Sequence, residues 1–167
     1  MMRIILISLS FLLGQHLFSQ SSNNPMVSST KKSKQEKKNL TIVKEFHTGA
    51  TPVKKFIASG MMSDSIEWWV PGPKNILPFA GMWKGVEGLN EFSSQLGKTM
   101  RYDKVEIREY IIDGDEIAAF FWGEGIALST GKPFHSEILR LYTFKDGKII
   151  KVRNFYDTDS YVAALTK

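Results

Sequence analysis

Over most of the second half of the chain, apolar and polar positions run with the short period of β-strands. Residues 104–112, 117–128, 133–144 and 148–157 are rich in β-branched and aromatic side chains, and the breaks between them are Asp113-Gly114-Asp115, Ser129-Thr130-Gly131 and Asp146-Gly147. Runs of this length separated by tight-turn residues predict a four-stranded antiparallel meander. The first half reads differently. Apolar residues in 40–46 and 53–57 fall at helical spacing, with Thr51 as a cap and Pro52 in the first turn of the second segment. Residues 65–70 (SIEWWV) predict a strand stopped by Pro71-Gly72-Pro73, and 71–84 a loop whose Ile76, Leu77, Phe79, Met82 and Trp83 fold over the body. From Gly85, the residues Val86, Leu89, Phe92 and Leu96 share one helical face until Gly97, and Tyr161, Val162 and Leu165 suit a short closing helix. Helices first and an antiparallel meander afterwards predict an α+β fold, with helices laid on one face of a bent sheet.

The final hairpin, 133–157, decides which side chains can meet. If Asp146-Gly147 is a two-residue type I′ loop, Phe144 opposes Ile149, and His135, Glu137, Leu139 and Leu141 share a face with Val152, Asn154 and Tyr156. If Lys145-Asp146-Gly147 is a three-residue loop closed by a G1 bulge, Phe144 opposes Lys148. Ser136, Ile138, Arg140, Tyr142, Val152, Asn154 and Tyr156 then form one face, and His135, Glu137, Leu139, Arg153, Phe155 and Asp157 the other. The bulged register is preferred. It sets His135 against Asp157 and Glu137 beside Arg153, whereas the I′ register places Arg140 opposite Arg153, two like charges.

Length and charge narrow the organisation. The 167 residues suffice for one domain with a core. Arg3, the apolar run 4–13 and Ser19-Gln20-Ser21 read as a secretory signal over 1–21, too short to span a bilayer, so an exported protein, periplasmic or secreted, without a membrane span is expected. Residues 22–38 contain little to bury and read as a disordered basic linker, leaving 39–167 as the domain. The net charge of +5 lies entirely in residues 1–38. A neutral domain argues against a nucleic-acid partner, which needs basic residues on the folded surface.

Several chemistries lack their residues. There is no cysteine, hence no disulfide and no thiolate nucleophile or ligand. Gly97-Lys98-Thr99 resembles the end of a phosphate loop, but Phe92 occupies the first glycine position and a helix precedes it. No G-x-S-x-G elbow is present. Outside the leader only His47 and His135 occur, without metal-ligand spacing, so no metal and no cofactor are expected. Asn39-Leu40-Thr41 is a glycosylation sequon by pattern alone.

Four stretches together carry a resemblance: S-D-S-I-E-W-W-V-P-G (63–72), A-G-x-W-x-G (80–85), S-T-G-K-P-F (129–134) and F-x-D-G-K-I…Y-D (144–157). In order and spacing they resemble SnoaL-like proteins, which belong with ketosteroid isomerase and nuclear transport factor 2 in one superfamily. The resemblance covers about residues 40–165 and implies a cone-shaped barrel, a curved, mainly antiparallel sheet wrapped around N-terminal helices. The family's catalytic positions do not carry over. Trp68 stands where the isomerases place their general-base aspartate, Arg140 where they place a protonated acid, and Asn154 where the cyclases place a catalytic aspartate. An indole, a guanidinium and an amide do not abstract a carbon-bound proton near neutral pH.

Two sets of candidate residues remain. Arg140, Tyr142, Asn154 and Tyr156, with Trp68, Trp83 and Trp122, are candidates for a ligand site in the cone, where Arg140 holds an anionic group. The alternative for Arg140 is a structural ion pair with Glu67 or Glu124, and for the tryptophans simple core packing. His135, Glu137 and Asp157 are candidates for a catalytic acid and base, with Glu124 as a spare acid. On the convex face they would instead make salt bridges or an interface. The expectation is an exported domain that binds a small, largely apolar molecule, with or without an anionic group, and pairs as a homodimer through its outer sheet face. The alternatives are an isomerase, cyclase or hydratase using His135 with Glu137 or Asp157, and a protein-interaction module using the sheet face.

Overall fold

The computed structural model describes residues 33–48 and 53–167. The expected signal segment 1–21, most of the linker and the Thr51-Pro52 helix start lie outside the described residues. Ten elements follow in order: α1 (Lys34–Thr48), α2 (Val53–Ala58), β1 (Met62–Val70), β2 (Gly81–Lys84), α3 (Gly85–Thr99), β3 (Met100–Asp113), β4 (Glu116–Ala127), β5 (Pro133–Lys145), β6 (Lys148–Tyr156) and α4 (Thr158–Leu165). The six strands form one sheet in the order β2-β1-β6-β5-β4-β3, antiparallel throughout except for the parallel pair β1–β6. This is the expected α+β cone. No helix among the described residues is long and apolar enough to cross a membrane.

Helix α1 begins at Lys34, inside the stretch read as linker. Ser33 and Glu36 form a reciprocal capping box: the Ser33 backbone N–H donates to Glu36 Oε2 (2.5 Å) and the Glu36 N–H to Ser33 Oγ (3.1 Å). A capped start lets a polar segment be helical without burying much. One turn later Asn39, of the sequon pattern, is fully buried, its Oδ1 accepting from Gln35 Nε2. Strand β2 lies within the stretch expected as an apolar loop, because four residues are too few to show a period. Helix α3 runs past Gly97 to Thr99, since Gly97 keeps helical geometry and the chain leaves at Met100 in an extended conformation.

Strand β4 alternates strictly, with Ile117, Ala119, Phe121, Gly123, Gly125 and Ala127 buried on the concave side. Helix α3 fills that side with Leu89 and Phe92, and α1 with Val43. The sheet curves because β3 carries two bulges against β4, between Tyr102 and Lys104 and between Ile107 and Glu109. At the first, the backbones approach so closely that a Cβ on Gly125 would overlap the Arg101 carbonyl group.

The hairpin register combines features of both expectations. Asp146 (φ 52°) and Gly147 (φ 76°) form a two-residue loop with left-handed φ at both positions, and Phe144 opposes Ile149. The bulge lies not in the turn but in β6. Pairing shifts between Phe144↔Ile149 and Thr143↔Lys151, so Ile150 is the extra residue, and beyond it Arg140 opposes Asn154 and Tyr142 opposes Val152. The face expected from the bulged register is therefore present. Its cross-strand partners are displaced by two residues: Arg153 opposes Leu141, rather than lying beside Glu137.

Two glycines separate the bulge from other sources of curvature. Gly125→Ala should cost roughly 3 kcal/mol or more, because the clash is with backbone. Gly97→Ala, with nothing within 4 Å of the position its Cβ would take, should gain about 0.5–1 kcal/mol from helix propensity. Urea unfolding of the two variants measures both; equal effects would contradict the bulge as the source of the bend.

Candidate functional site

The bulge at Ile150 turns Arg140 and Asn154 to the same, concave side of the β5–β6 pair. There Arg140 Nε donates to Asn154 Oδ1 (2.6 Å), and Asn154 Nδ2 donates to the Trp69 carbonyl oxygen on β1 (2.7 Å). Asn154, 3 % exposed, thus ties Arg140 to the neighbouring strand with both ends of its amide. The guanidinium lies over three aromatic rings, with Cζ 5.1 Å from the Trp68 centroid, 5.1 Å from Phe121 and 5.6 Å from Phe46. No carboxylate among the described residues lies within ion-pairing distance of it. The two acids expected as alternative partners are engaged elsewhere: Glu67 with Lys84 (3.2 Å) and Lys151 (4.0 Å), and Glu124 as acceptor of the Trp122 indole N–H (3.0 Å).

A small cavity adjoins this cation. Arg140, Asn154, Tyr102 and Tyr156 supply its polar wall, and Phe79, Phe92 and Leu96 part of the apolar one. About 30 Å³ is left for the centres of water-sized occupants, room for one or two waters or a carboxylate group. The Tyr156 hydroxyl donates to the Pro71 carbonyl oxygen (2.9 Å), and the Tyr102 and Tyr161 hydroxyls share one hydrogen bond (2.9 Å). The buried Trp68 indole N–H has no partner among the described residues. Unused donors on Arg140 and Trp68, without carboxylates, make this part of the cone rich in hydrogen-bond donors. A much wider depression, ≈ 980 Å³ beside α3, lies elsewhere, with Asp64, Glu87 and Glu91 in its open wall.

Behind Arg140 stands a residue that sequence reasoning did not select. His47 Nε2 is 2.9 Å from the Tyr142 hydroxyl, which in turn lies 3.5 Å from Arg140 Nη1. Burial, and then the Arg140 charge, push the His47 pKa down to about 3. His47 is therefore neutral. With His47 neutral, the Tyr142 hydroxyl can donate to Nε2 while its oxygen accepts from Arg140, the tautomer that carries the imidazole proton on Nδ1. Burial raises the Tyr142 pKa, and the adjacent guanidinium partly opposes this. The signal that could have found His47 is its position on α1, four residues after buried Val43 and next to Phe46.

The other expected residues are placed as follows. Trp68 is core, 1 % exposed, packed on Phe92 and Phe46. Trp83 is half-buried, its indole N–H donating to the Phe79 carbonyl oxygen and its face under Lys74 Nζ. Trp122 is not in the cone. Strand alternation turns it to the outer face, where it stacks on His135 at 5.3 Å. His135, Glu137 and Asp157 are all exposed and share no hydrogen bond with one another. Asp157 caps α4, its carboxylate accepting from the Asp159 N–H (3.0 Å). Glu137 and Asp157 line one depression on the outer face, while His135 stands in another beside Trp122, so the histidine is not joined to either acid. No group of three or more potential metal ligands occurs among the described residues.

Residues 57–152 match the SnoaL-like domain family. UPF0523 protein B of Dictyostelium discoideum is 26% identical over 103 residues, 60% of this chain and 63% of its own length. The chain thus spans less than two thirds of that relative. Among solved structures, an NTF2-like protein of Burkholderia pseudomallei superposes with a TM-score of 0.70 at 14% identity, covering 78% of this chain and 98% of its own. A protein of Jannaschia sp. CCS1 assigned to the SnoaL-like polyketide cyclases gives 0.69 at 17%, covering 81% and 96%. TerC, co-crystallized with polyporic acid, gives 0.67 at 22%, covering 77% and 98%. At these identities the likeness is one of fold.

The neutral His47 has a consequence for stability. Its folded pKa of about 3 lies below the unfolded value of 6.5, so the unfolded chain binds more protons between the two. The stabilisation is complete above about pH 6.5 and should fall by up to about 1.4 kcal/mol per unit as pH drops toward 3. His47→Gln should flatten that slope in denaturant titrations between pH 4 and 6.5 relative to the native protein; an unchanged slope would show that His47 is protonated in the fold.

Proposed function

The chain belongs to the SnoaL-like domain family, and from that premise we propose that its cone binds a small acidic molecule, carboxylate first, against Arg140. The carrying observation is a cation held among three aromatic rings with no carboxylate partner among the described residues. Taking a guanidinium out of water costs several kcal/mol, and cation–π contacts and one amide oxygen offset only part of it. A bound anion supplies the missing part through charge-assisted hydrogen bonds to the free Nη donors. Phe79, Phe92 and Leu96 line part of the remaining wall of the cavity, which has room for the acid group, so a larger apolar body requires the cavity to widen on that side. In TerC, which has the same fold, the co-crystallized molecule is also an acid. Export, read from residues 1–21, is part of this proposal. Catalysis is not, because the groups nearest the cavity are donors rather than bases.

Titration calorimetry with a carboxylate series from formate to benzoate, each beside its neutral amide, tests the reading. The acids should bind and the amides should not, with affinities on the order of millimolar for the smallest, given the limit of about 1.5 kcal/mol per heavy atom. Arg140→Met should weaken the acids by roughly 10- to 100-fold, the worth of a charged hydrogen bond, and cost about 1–3 kcal/mol of stability for the buried Asn154 Oδ1 left without its donor. Asn154→Ala, which frees Arg140 Nε and the Trp69 carbonyl, should weaken binding and destabilise together. Equal binding of acid and amide, or unchanged binding by the Arg140 variant, sinks the proposal.

We further propose that the outer face pairs two copies. Phe120, Leu139 and Phe155 form one cross-strand row on that face, with Phe155 39 % and nearby Ile111 51 % exposed. Sedimentation should give a dimer that Phe155→Glu dissociates; a native monomer at high concentration rules it out.

A further inference from the structure

We propose that the cone takes up its anion together with a proton, which His47 holds. The inference rests on the carboxylate reading of Arg140 and assigns a role to the two residues behind it. Arg140 Nη1, the Tyr142 hydroxyl and His47 Nε2 are consecutive, at 3.5 and 2.9 Å, and Tyr142 is fully buried between the other two. In the empty site, with the neutral imidazole protonated on Nδ1, Arg140 donates to Tyr142 and Tyr142 to the lone pair of His47 Nε2. An anion on the free Nη donors reverses the second of these bonds. Tyr142, which touches the site through Arg140 Nη1 rather than lining the cavity, passes its hydrogen to His47 Nε2 and receives the proton that accompanies the anion. His47 N–H then donates back to the Tyr142 oxygen. One proton enters with one anion, one O–H bond is replaced by another, one N–H bond forms, and no electron changes owner.

The groups in ring or hydrogen-bond contact with His47 are aromatic, and the nearby charge acting on it is that of Arg140. Strand β5 presents Arg140 and Tyr142, β3 presents Tyr110 at 6.3 Å between ring centroids, and β4 presents Phe121 at 4.8 Å. On α1, Lys44 and Glu45 precede His47 by three and two residues, and Lys44 Nζ lies 5.8 Å from the Tyr110 ring centroid. What keeps the imidazole neutral is burial together with the Arg140 charge. A bound anion offsets the second and smaller of these while burial remains, so proton and anion stabilise one another chiefly toward acid pH. Such a site binds the elements of an undissociated acid while storing them as an ion pair separated by a tyrosine.

The sign of the pH dependence follows. Where His47 is neutral in the empty protein and protonated in the loaded one, affinity rises by up to tenfold for each unit that pH falls. Nitrate is the main probe, being planar like a carboxylate and ionised throughout, with acetate run in parallel. Calorimetry in buffers of different ionisation enthalpy counts the protons taken up, and ¹⁵N spectra of the native protein report the His47 ring directly. The expected result is uptake approaching one proton per anion at the acid end, with imidazolium signals for His47 in the complex. His47→Gln, which keeps an acceptor for Tyr142, should bind either anion with no proton uptake and a flat pH profile. Anion binding by the native protein without proton uptake, or with His47 still neutral, overturns the coupling and leaves the Arg140 reading standing. Failure of the native protein to bind nitrate or acetate overturns both.

Discussion

A β-strand sends successive side chains to opposite faces, so one extra residue in a ladder decides which of two sets is buried. In this protein that residue is Ile150. The type I′ turn at Asp146-Gly147, continued without interruption, would put Arg140 opposite Arg153 and turn Asn154 to the other side from Arg140. The bulge restores parity four residues before Asn154, removes the like-charge pair, and lets Arg140 and Asn154 face each other across the ladder at 2.6 Å. The polar contacts of Arg140 in the cone depend on that shift. So does the placement of His135 and Glu137 on the convex face.

The consequence for energetics is a cation inside the cone whose compensation is incomplete. Asn154 holds one N–H and Tyr142 weakly accepts another, and three aromatic faces lie about 5 Å away. Nothing in that set carries a full negative charge. Folding alone would be served as well by apolar side chains of the same volume in place of both Arg140 and Asn154. An arrangement that gives up stability at one position while bracing it from a neighbouring strand through Asn154 is what a preorganised anion site requires. The same charge acts backwards on His47 and helps keep it neutral, so the cation and the histidine are two parts of one electrostatic system.

Family membership fixes less about chemistry than about shape. On the resemblance to isomerases and cyclases, the positions that would carry their acids correspond to Trp68, Arg140 and Asn154 in this chain. In the fold these three stand together, with the indole under the guanidinium and the amide beside it. A cation, an amide and an aromatic ring suit the proposed holding of a charged ligand better than the removal of a proton from carbon.

Period and turn chemistry in the sequence determined the meander, α3, α4 and the α+β order, since those signals are local. The four stretches that resemble the SnoaL-like family led to the cone, and the inward face with Arg140, Tyr142, Asn154 and Tyr156 followed from an argument about like charges. Local signals were too short for β2, and the polarity of 34–38 hid a helix start that Ser33 and Glu36 nevertheless encode as a capping box. Tertiary structure alone decided the rest. Whether a bulge sits in the turn or three residues later leaves no mark on a hydrophobic pattern, because Ile149 and Ile150 are both apolar. That Trp122 faces outward, that Asp157 is a helix cap, and that His47 meets Tyr142 across 95 residues of chain are long-range outcomes. They are set by which strands pair and where α1 lies in the cone, and no local spacing records either.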